Sequence, residues 1–211
     1  MDTPSSVLSS DDAFDEQLPL SLQIKSSMHF TPIEVARQAA ALLAPEPGMS
    51  VLDVGAGAGK FCLAAAFAIP TATFVGVELR GQLVRVATRL ATQLQLHNVR
   101  FVHGDAFDLD WSQFDSFYLY NPFAEQLFEN AFRLDRSLTL DPLNFDLSVT
   151  AVRVRLALAR VGTRVVTYHG FGASPPLGYD LARVEQAGSD RVELWIKSRE
   201  VSPEEAAAHD V

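Results

Sequence analysis

Hydrophobic residues along the chain fall into short runs that alternate with longer segments of helical periodicity. Seven short runs predict strands, at residues 50–54, 73–78, 99–103, 116–120, 164–168, 179–186 and 191–197. Apolar positions three and four residues apart predict helices at residues 31–43, 60–69, 81–96, 124–132 and 142–160. Strands separated by such helices are typical of βαβ units. We therefore expect an α/β domain with a mostly parallel seven-stranded sheet, covered on both faces and closed by an antiparallel pair.

The chain before the first predicted helix has a different character. Residues 1–28 mix Ser, Asp and Pro with little periodicity and predict a mobile N-terminal arm. Thr31, Pro32 and Glu34 then form a helix-start pattern, in which Thr31 caps the helix and Glu34 completes a capping box. We divide the chain into this arm, a domain at residues 29–199 and an acidic C-terminal tail at residues 200–211.

Charge is concentrated at the two ends of the chain. Nine of the 26 acidic residues lie in the first 20 or the last 12 positions, so the body is neutral although the net charge is -9. Because no long basic run appears, we expect no nucleic acid partner. No apolar run is long enough to span a bilayer, and the acidic N-terminal residues argue against a secretory signal. The single cysteine, Cys62, excludes an intrachain disulfide and favours a reducing, cytoplasmic location.

The strongest local motif is a glycine-rich turn between the first predicted strand and the next helix. Gly55, Gly57 and Gly59 alternate with alanines, and glycine lets a ligand approach the backbone at the positive end of a helix dipole. The dinucleotide fingerprint would need Gly or Ala at the position of Lys60, and a P-loop would need Ser or Thr at the position of Phe61. The turn therefore indicates a nucleotide-like ligand and disfavours an NTPase.

Two carboxylates stand at the ends of the next two predicted strands. Glu78 ends the second strand, where a carboxylate can accept hydrogen bonds from two ribose hydroxyls, in NAD as well as in other nucleosides. Asp105 follows the third strand. Because ligands of parallel α/β sheets bind outside the carboxyl ends of the strands, we expect these groups and the glycine turn to form one site. The alternatives are a surface Glu that starts a helix and an Asp that serves a turn.

Asp53 completes a longer motif, because it lies two residues before Gly55. In the pattern D-x-G-x-G-x-G the sequence resembles the class I S-adenosylmethionine-dependent methyltransferases, and the resemblance spans residues 29–123. It implies a three-layer Rossmann-like fold with the last strand antiparallel, and S-adenosyl-L-methionine as the cofactor. It also implies an acid near the methionine amine and another near the adenine, at Asp53 and Asp105. The cofactor-binding residues implied by the resemblance are Asp53, Gly55, Ala56, Gly57, Gly59, Glu78, Leu79, Asp105, Ala106 and Asn121.

The end of the fourth predicted strand bears on the methyl acceptor. Asn121, Pro122 and Phe123 resemble the N/D-P-P-Y/F motif of methyltransferases that act on amino nitrogens, with one proline where that motif has two. The resemblance implies that Asn121 and a backbone carbonyl accept hydrogen bonds from the target NH₂ and that Phe123 packs on the substrate. The non-SET histone-lysine methyltransferases also carry Asn followed closely by Phe at this place. The alternative is structural, with Asn121 capping the next helix and Phe123 in the core.

The sequence therefore predicts an enzyme that transfers a methyl group from S-adenosylmethionine to a nitrogen acceptor, on a protein (lysine-like) or a small molecule. The expected catalytic residues are Asn121, Pro122 and Phe123, and no metal is expected because the His and Cys residues lack metal-ligand spacing. A nicotinamide-dependent oxidoreductase and a non-catalytic S-adenosylmethionine-binding module are the alternatives. The acceptor, the oligomeric state and the roles of His29 and His169 stay open.

Overall fold

Strands and helices alternate along residues 3–208, the part of the chain that the computed structural model describes. The strands are β1 Ser50–Val54, β2 Thr73–Glu78, β3 Val99–His103, β4 Ser116–Tyr120, β5 Arg164–Tyr168, β6 Tyr179–Ala187 and β7 Asp190–Lys197. The α-helices are α1 Pro4–Val7, α2 Asp11–Asp15, α3 Leu20–Gln23, α4 Ser26–His29, α5 Ile33–Leu43, α6 Lys60–Ala68, α7 Gly81–Gln93, α8 Leu143–Ala157 and α9 Pro203–Ala208. Every predicted strand is confirmed, with bounds that differ by one residue at most.

The strands form one sheet in the order β3-β2-β1-β4-β5-β7-β6. Neighbours from β3 to β5 are parallel, whereas β7 is antiparallel to both β5 and β6. This arrangement confirms the predicted Rossmann-like fold. From β1 the chain proceeds outward through β2 and β3, and it then returns to add β4 and β5 on the other side of β1. The strand order thus reverses between β1 and β4, and such a reversal leaves a crevice at the carboxyl ends of the strands.

Side-chain alternation along the strands builds a hydrophobic core on each face of the sheet. Val51 and Phe74 point to one face and pack with residues of α5, α6 and α7. Leu52 and Val75 point to the other face and pack with residues of α8. Because successive strand residues face opposite sides, each apolar run supplies both cores and holds three layers together.

The segment predicted to be a mobile arm packs against the domain as the short helices α1 to α4. Val7 and Phe14 are at most 2 % exposed and belong to the same hydrophobic core as α5 and α6. Lys60, the first residue of α6, is also buried, and its Nζ lies 2.8 Å from Asp11 Oδ1 and 3.0 Å from Asp15 Oδ1. Two acids that the sequence places in an acidic end therefore neutralise a buried lysine.

The start of α5 differs from the predicted capping box, which is wrong. Thr31 Oγ1 lies 3.0 Å from the hydroxyl oxygen of Tyr118 in a buried hydrogen bond and does not cap the helix. The backbone N–H of Ile33 donates instead to Asp11 Oδ1 at 2.9 Å. A side chain of the arm thus satisfies a free N–H of the first helical turn, which local sequence patterns cannot reveal.

The described part of the C-terminal region, residues 200–208, packs against the domain. Val201 is buried, and so is Ala206 of α9. The ends of the predicted arm and tail, residues 1–2 and 209–211, lie outside the described residues. None of the helices within residues 3–208 combines the length and the apolar character needed to cross a membrane.

We expect Lys60→Ala to lower the free energy of unfolding by about 2 kcal/mol, because the two carboxylates would lose a buried cationic partner. Urea denaturation of the variant and the wild type measures this change. Arg183→Ala is the control, since the pair between Arg183 and Glu185 is on the surface and its loss should cost less than about 0.5 kcal/mol. Equal effects of the two substitutions would show that Lys60 does not fasten the arm.

The segment after β4, residues 121–142, is called the cap segment here because it covers one side of the crevice. The helix predicted at residues 124–132 is wrong, since only a 3₁₀ helix, Ala124–Leu127, forms. Leu127 and Phe132 are 54 % and 52 % exposed, so the apolar pattern finds no surface on which to pack. Glu125 instead accepts a hydrogen bond from the backbone N–H of Leu134 at 2.7 Å, which folds the segment back on itself.

Candidate active site

A cavity of about 330 Å³ opens where the sheet order reverses, at the carboxyl ends of β1, β2, β4 and β5. This volume lies within the range of small-molecule sites. Nine of the sequence-predicted site residues line the cavity: Gly55, Gly57, Glu78, Leu79, Asp105, Ala106, Asn121, Pro122 and Phe123. Asp53, Ala56 and Gly59 are not part of the cavity wall, and all three are buried.

The glycine turn has one face toward the cavity and one toward the core. Gly55, Gly57 and Gly59 have φ values of +81°, +55° and +82°, a left-handed conformation that side chains other than glycine rarely adopt. At Gly59 an added Cβ would lie 2.6 Å from the Phe101 ring and 2.8 Å from Ala87. Gly59 is therefore required for close packing of α6 against β3 and α7, whereas Gly55 and Gly57 face the cavity.

Glu78 joins the glycine turn to the end of β2. Its Oε2 accepts from the N–H of Gly57 at 3.0 Å, and its Oε1 accepts from the N–H of Arg80 at 2.9 Å. Burial raises the pKa of this carboxyl above its ordinary value, while the hydrogen bonds from Arg80 and Gly57 act in the opposite direction. Each carboxylate oxygen keeps a second lone pair, so Glu78 can still accept from ligand hydroxyls.

Asp53 lies behind the glycine turn, on the face of β1 that carries Val51 and packs against α6. It is 4 % exposed, and the Sγ–H of Cys62 donates to its Oδ2 at 3.4 Å. Burial, with a smaller contribution from the charge of Glu78, raises the pKa of Asp53 to about 7. In this structure Asp53 is a buried acid beside Cys62. The glycine turn lies between Asp53 and the cavity, so it would separate Asp53 from a ligand amine.

The raised pKa of Asp53 makes stability depend on pH. In the unfolded chain the pKa of this carboxyl lies near its ordinary value of 3.8, whereas in the folded protein the carboxyl holds its proton up to about pH 7. The folded state therefore binds more protons between these values, so stability falls as the pH rises through that range. Asp53→Asn should remove this loss. Its unfolding free energy relative to wild type should be higher at pH 8 than at pH 5 by about 2 kcal/mol, measured by urea denaturation. Parallel pH dependences of the two proteins would contradict the assignment.

Asp105 and its neighbours form the wall beside β3. Asp105 Oδ1 accepts from the N–H of Phe107 at 2.9 Å and caps the 3₁₀ helix Ala106–Asp108. The carbonyl oxygen of Ala106 accepts from the indole N–H of Trp111 at 2.8 Å. The turn role and the cavity-lining role of Asp105 therefore coexist, because one carboxylate oxygen serves the turn.

The end of β4 brings the predicted acceptor motif next to the glycine turn. Asn121 has a left-handed φ of +40°, and its carbonyl oxygen accepts from the N–H of Ala124 at 3.0 Å. Its side chain does not cap the following 3₁₀ helix, which starts after Phe123. An added Cβ on Gly55 would lie 3.6 Å from Pro122, and the Phe123 ring stacks on Phe107 with centroids 5.8 Å apart.

Several lining residues were not predicted as site residues. Arg80 is 6 % exposed, and it pairs with Glu125 at 2.9 Å and with Asp135 at 3.0 Å, which holds the cap segment against β2. Phe30 of the arm reaches the glycine turn, where an added Cβ on Gly57 would lie 2.8 Å from its ring. The one signal for Arg80 in the sequence is its position two residues after Glu78, the end of β2. Across residues 3–208 no group of three or more His, Cys, Asp or Glu side chains is placed to hold a metal ion.

Comparisons with known proteins agree with this geometry. A family model described as a methyltransferase domain matches residues 45–139, which include the glycine turn, Glu78, Asp105 and Asn121. Residues 45–139 therefore match a methyltransferase domain, the class of protein that the glycine turn and Glu78 resemble. S-adenosylmethionine is the methyl donor that this family of enzymes uses.

Individual methyltransferases resemble the chain to different extents. The release factor glutamine methyltransferase of Vibrio cholerae is 30 % identical over 186 residues, which cover 77 % of this chain and 61 % of the relative. This chain thus spans about three fifths of the length of that relative. The ribosomal RNA small subunit methyltransferase G of Porphyromonas gingivalis is 39 % identical over 69 residues, which cover 30 % of this chain and 31 % of the relative. An RNA methyltransferase from Salinibacter ruber, solved with S-adenosyl-L-homocysteine, shares the fold with a TM-score of 0.52 and 20 % identity, covering 79 % of this chain and 92 % of its own.

The residues around the cavity fit the family's cofactor. Gly57 lines the cavity beside Phe30 and has no room for a side chain on that side, because an added Cβ there would lie 2.8 Å from the Phe30 ring. Glu78 and Asp105 present carboxylate oxygens on the wall, which suit ribose hydroxyls and an exocyclic amine. Gly104, also on the wall, has open space around an added Cβ. The cavity therefore offers carboxylate acceptors after β2 and β3 and open space against the backbone at Gly104.

Proposed function

We propose that this protein binds S-adenosylmethionine in the cavity and transfers its methyl group to a nitrogen atom of a protein side chain. The observation that carries the proposal is the position of Asn121, Pro122 and Phe123. They line the same cavity as the glycine turn, and Pro122 lies directly against Gly55. A hydrogen-bond acceptor for a substrate N–H thus stands beside the backbone that would hold the methyl donor.

The chemistry asks the protein for alignment and exclusion of water. When bound, S-adenosylmethionine supplies a methyl group on a sulfonium that is a good leaving group. Asn121 Oδ1 would accept a hydrogen bond from the substrate N–H and orient the nitrogen lone pair toward the methyl carbon. Phe123 would pack on the apolar part of the acceptor, and the cap segment held by Arg80 would keep water away. Asn121 carries no basic group, so the proton must leave by another route.

A protein acceptor fits the chain better than the other classes. The Vibrio relative is named for a glutamine in a release factor. Amide and amine nitrogens both carry an N–H that can donate a hydrogen bond to Asn121. Some similar proteins are named for RNA, so the expectation that nucleic acid is excluded as a partner has no support from the comparisons. The neutral body without a long basic run makes us favour protein over RNA.

Cofactor identity is tested first by titration calorimetry. S-adenosylhomocysteine should bind with one site per chain, and NADH should give no binding heat. The comparisons give no support to the nicotinamide-dependent oxidoreductase. Binding of NADH without binding of S-adenosylhomocysteine would overturn the proposal in favour of that alternative.

Acceptor class is tested with S-adenosylmethionine carrying a tritiated methyl group, incubated with the protein and an extract of cells that lack this chain. Label should enter material that is sensitive to protease and resistant to ribonuclease, and complete proteolytic digestion should release N-methylated amino acids. Label sensitive to ribonuclease would overturn the protein acceptor and favour RNA. Binding of S-adenosylhomocysteine with no transfer to any fraction would overturn the enzyme proposal and favour a non-catalytic binding module.

A further inference from the structure

His169 stands at the carboxyl end of β5, on the wall of the same cavity as Asn121. Its Nδ1 forms a hydrogen bond with Asp190 Oδ2, and Asp190 is the first residue of β7. The two side chains are 31 % and 37 % exposed, so the pair lies at the rim of the cavity. A carboxylate on Nδ1 holds the proton on that nitrogen and leaves Nε2 with a free lone pair.

The sheet register places His169 beside Asn121. Tyr120 of β4 pairs with Tyr168 of β5 in the last step of the parallel ladder, and the next residue on each strand is Asn121 and His169. Adjacent strands lie about 5 Å apart, so the backbones at the two positions are neighbours. The acceptor nitrogen that Asn121 would hold is therefore within reach of a group at position 169.

Both residues hold an unusual backbone conformation. Asn121 has a φ of +40° and His169 has a φ of +68°, and both are residues other than glycine. Left-handed backbone at such positions costs about 1 kcal/mol or more and persists where surrounding contacts impose it. The two residues with this conformation stand at neighbouring strand ends and line one cavity.

The side chains around His169 leave it one charged partner in the described contacts. The rings of Tyr168 and Tyr120 lie 4.2 Å and 5.5 Å from its ring centroid, on β5 and β4. Burial raises the pKa of Tyr120 above its ordinary value, so that hydroxyl stays neutral near pH 7. From the β6–β7 hairpin come Asp190 itself and Ser189, whose hydroxyl lies 3.3 Å from the hydroxyl oxygen of Tyr168. Asp190 is thus the carboxylate that would stabilise a protonated imidazole.

We propose that His169 is a catalytic base that removes the proton from the acceptor nitrogen, with Asp190 as its positioning residue. This role rests on the proposed methyl transfer. The nitrogen forms a bond to the methyl carbon, and the carbon–sulfur bond of the sulfonium donor breaks with its electron pair passing to sulfur. The N–H proton moves to Nε2 of His169, which becomes an imidazolium beside the Asp190 carboxylate and later returns the proton to solvent.

The test compares His169→Asn, Asp190→Asn, Asp190→Glu and the control His97→Asn in the tritiated-methyl assay over a range of pH values. Asparagine tolerates the left-handed backbone at position 169 but cannot take up a proton. His97 is exposed, in the connection between α7 and β3, and does not line the cavity. Binding of S-adenosylhomocysteine and the melting temperature are measured on every variant.

We expect His169→Asn to lower the initial transfer rate about 100-fold and to abolish the decline on the acid side of the pH profile, with S-adenosylhomocysteine affinity within about threefold of wild type. Asp190→Asn should lower the rate about tenfold at unchanged S-adenosylhomocysteine affinity, and Asp190→Glu should restore most of it, because a carboxylate on Nδ1 orients the imidazole. His97→Asn should match wild type. A folded His169→Asn variant that keeps the wild-type rate and profile would overturn this role while leaving the proposed function standing. Failure of the wild-type protein to bind S-adenosylhomocysteine or to transfer label would instead remove the proposed function and this role together.

Discussion

Gly57→Arg is expected to weaken S-adenosylhomocysteine binding roughly 1,000-fold, which corresponds to about 4 kcal/mol. Gly57 has a φ of +55°, and its N–H donates to Glu78. Even a Cβ there would lie 2.8 Å from the Phe30 ring. An arginine would therefore extend into the cavity or displace Phe30, and either outcome removes the space that an adenosyl ligand needs. Titration calorimetry measures the affinity, and the melting temperature reports whether the variant is folded.

Gly48→Arg is the matched control for this substitution. Gly48 also has a positive φ, +84°, so both variants place the same side chain on left-handed backbone. Nothing lies within 4 Å of an added Cβ at Gly48, which is outside the cavity wall. The affinity of the Gly48→Arg variant for S-adenosylhomocysteine should equal that of wild type. Unchanged affinity in a folded Gly57→Arg protein would show that the glycine turn does not hold the cofactor.

Asn121→Gly is expected to reduce methyl transfer several hundredfold while S-adenosylhomocysteine affinity changes less than about threefold. Glycine adopts the φ of +40° at this position without strain, so the substitution removes the amide and leaves the turn in place. The lost interaction is a hydrogen bond that orients the acceptor nitrogen, which matters most in the transition state. The tritiated-methyl assay measures the rate, and calorimetry measures the affinity.

Gln95→Gly controls for the backbone effect of this change. Gln95 is exposed, has a φ of +55° and follows α7 away from the cavity, so its replacement relieves similar strain without touching the site. Transfer by Gln95→Gly should equal that of wild type. Parallel losses of transfer and cofactor affinity in Asn121→Gly would mean that Asn121 serves the structure of the site and not the acceptor.

The strands and the helices α5, α6 and α7 were predictable because their signals are local. An apolar run bounded by Gly and Pro, such as residues 50–54, can bury both faces only inside a covered sheet. The arm was not predictable for the opposite reason. Val7 and Phe14 lie in helices of only four and five residues, and their burial depends on α5 and α6, which come later in the chain. The apolar pattern at residues 124–132 predicted a helix that does not form, because Leu127 and Phe132 have no surface to pack against and stay exposed.

The residues that line the cavity divide in the same way. Gly55, Glu78 and Asn121 were predictable, because each lies at or just after a strand end and parallel strands place their carboxyl ends at one edge. Arg80 could not be assigned, since its partners Glu125 and Asp135 are 45 and 55 residues away. Such contacts exist only once the cap segment has folded over β2.

The sequence by itself determined the local chemistry of the site: a glycine turn, acids after strands and Asn-Pro-Phe after β4. These features depend on neighbours within a few residues, where steric and hydrogen-bonding rules act directly. Only the tertiary structure decided which side chains reach the cavity. Asp53 shares a face of β1 with Val51 and is covered by α6, so it is buried beside Cys62, while His169 meets Asp190 because an antiparallel strand returns beside β5. Burial and pairing across the sheet depend on residues far apart in the chain, and only their packing brings those groups together.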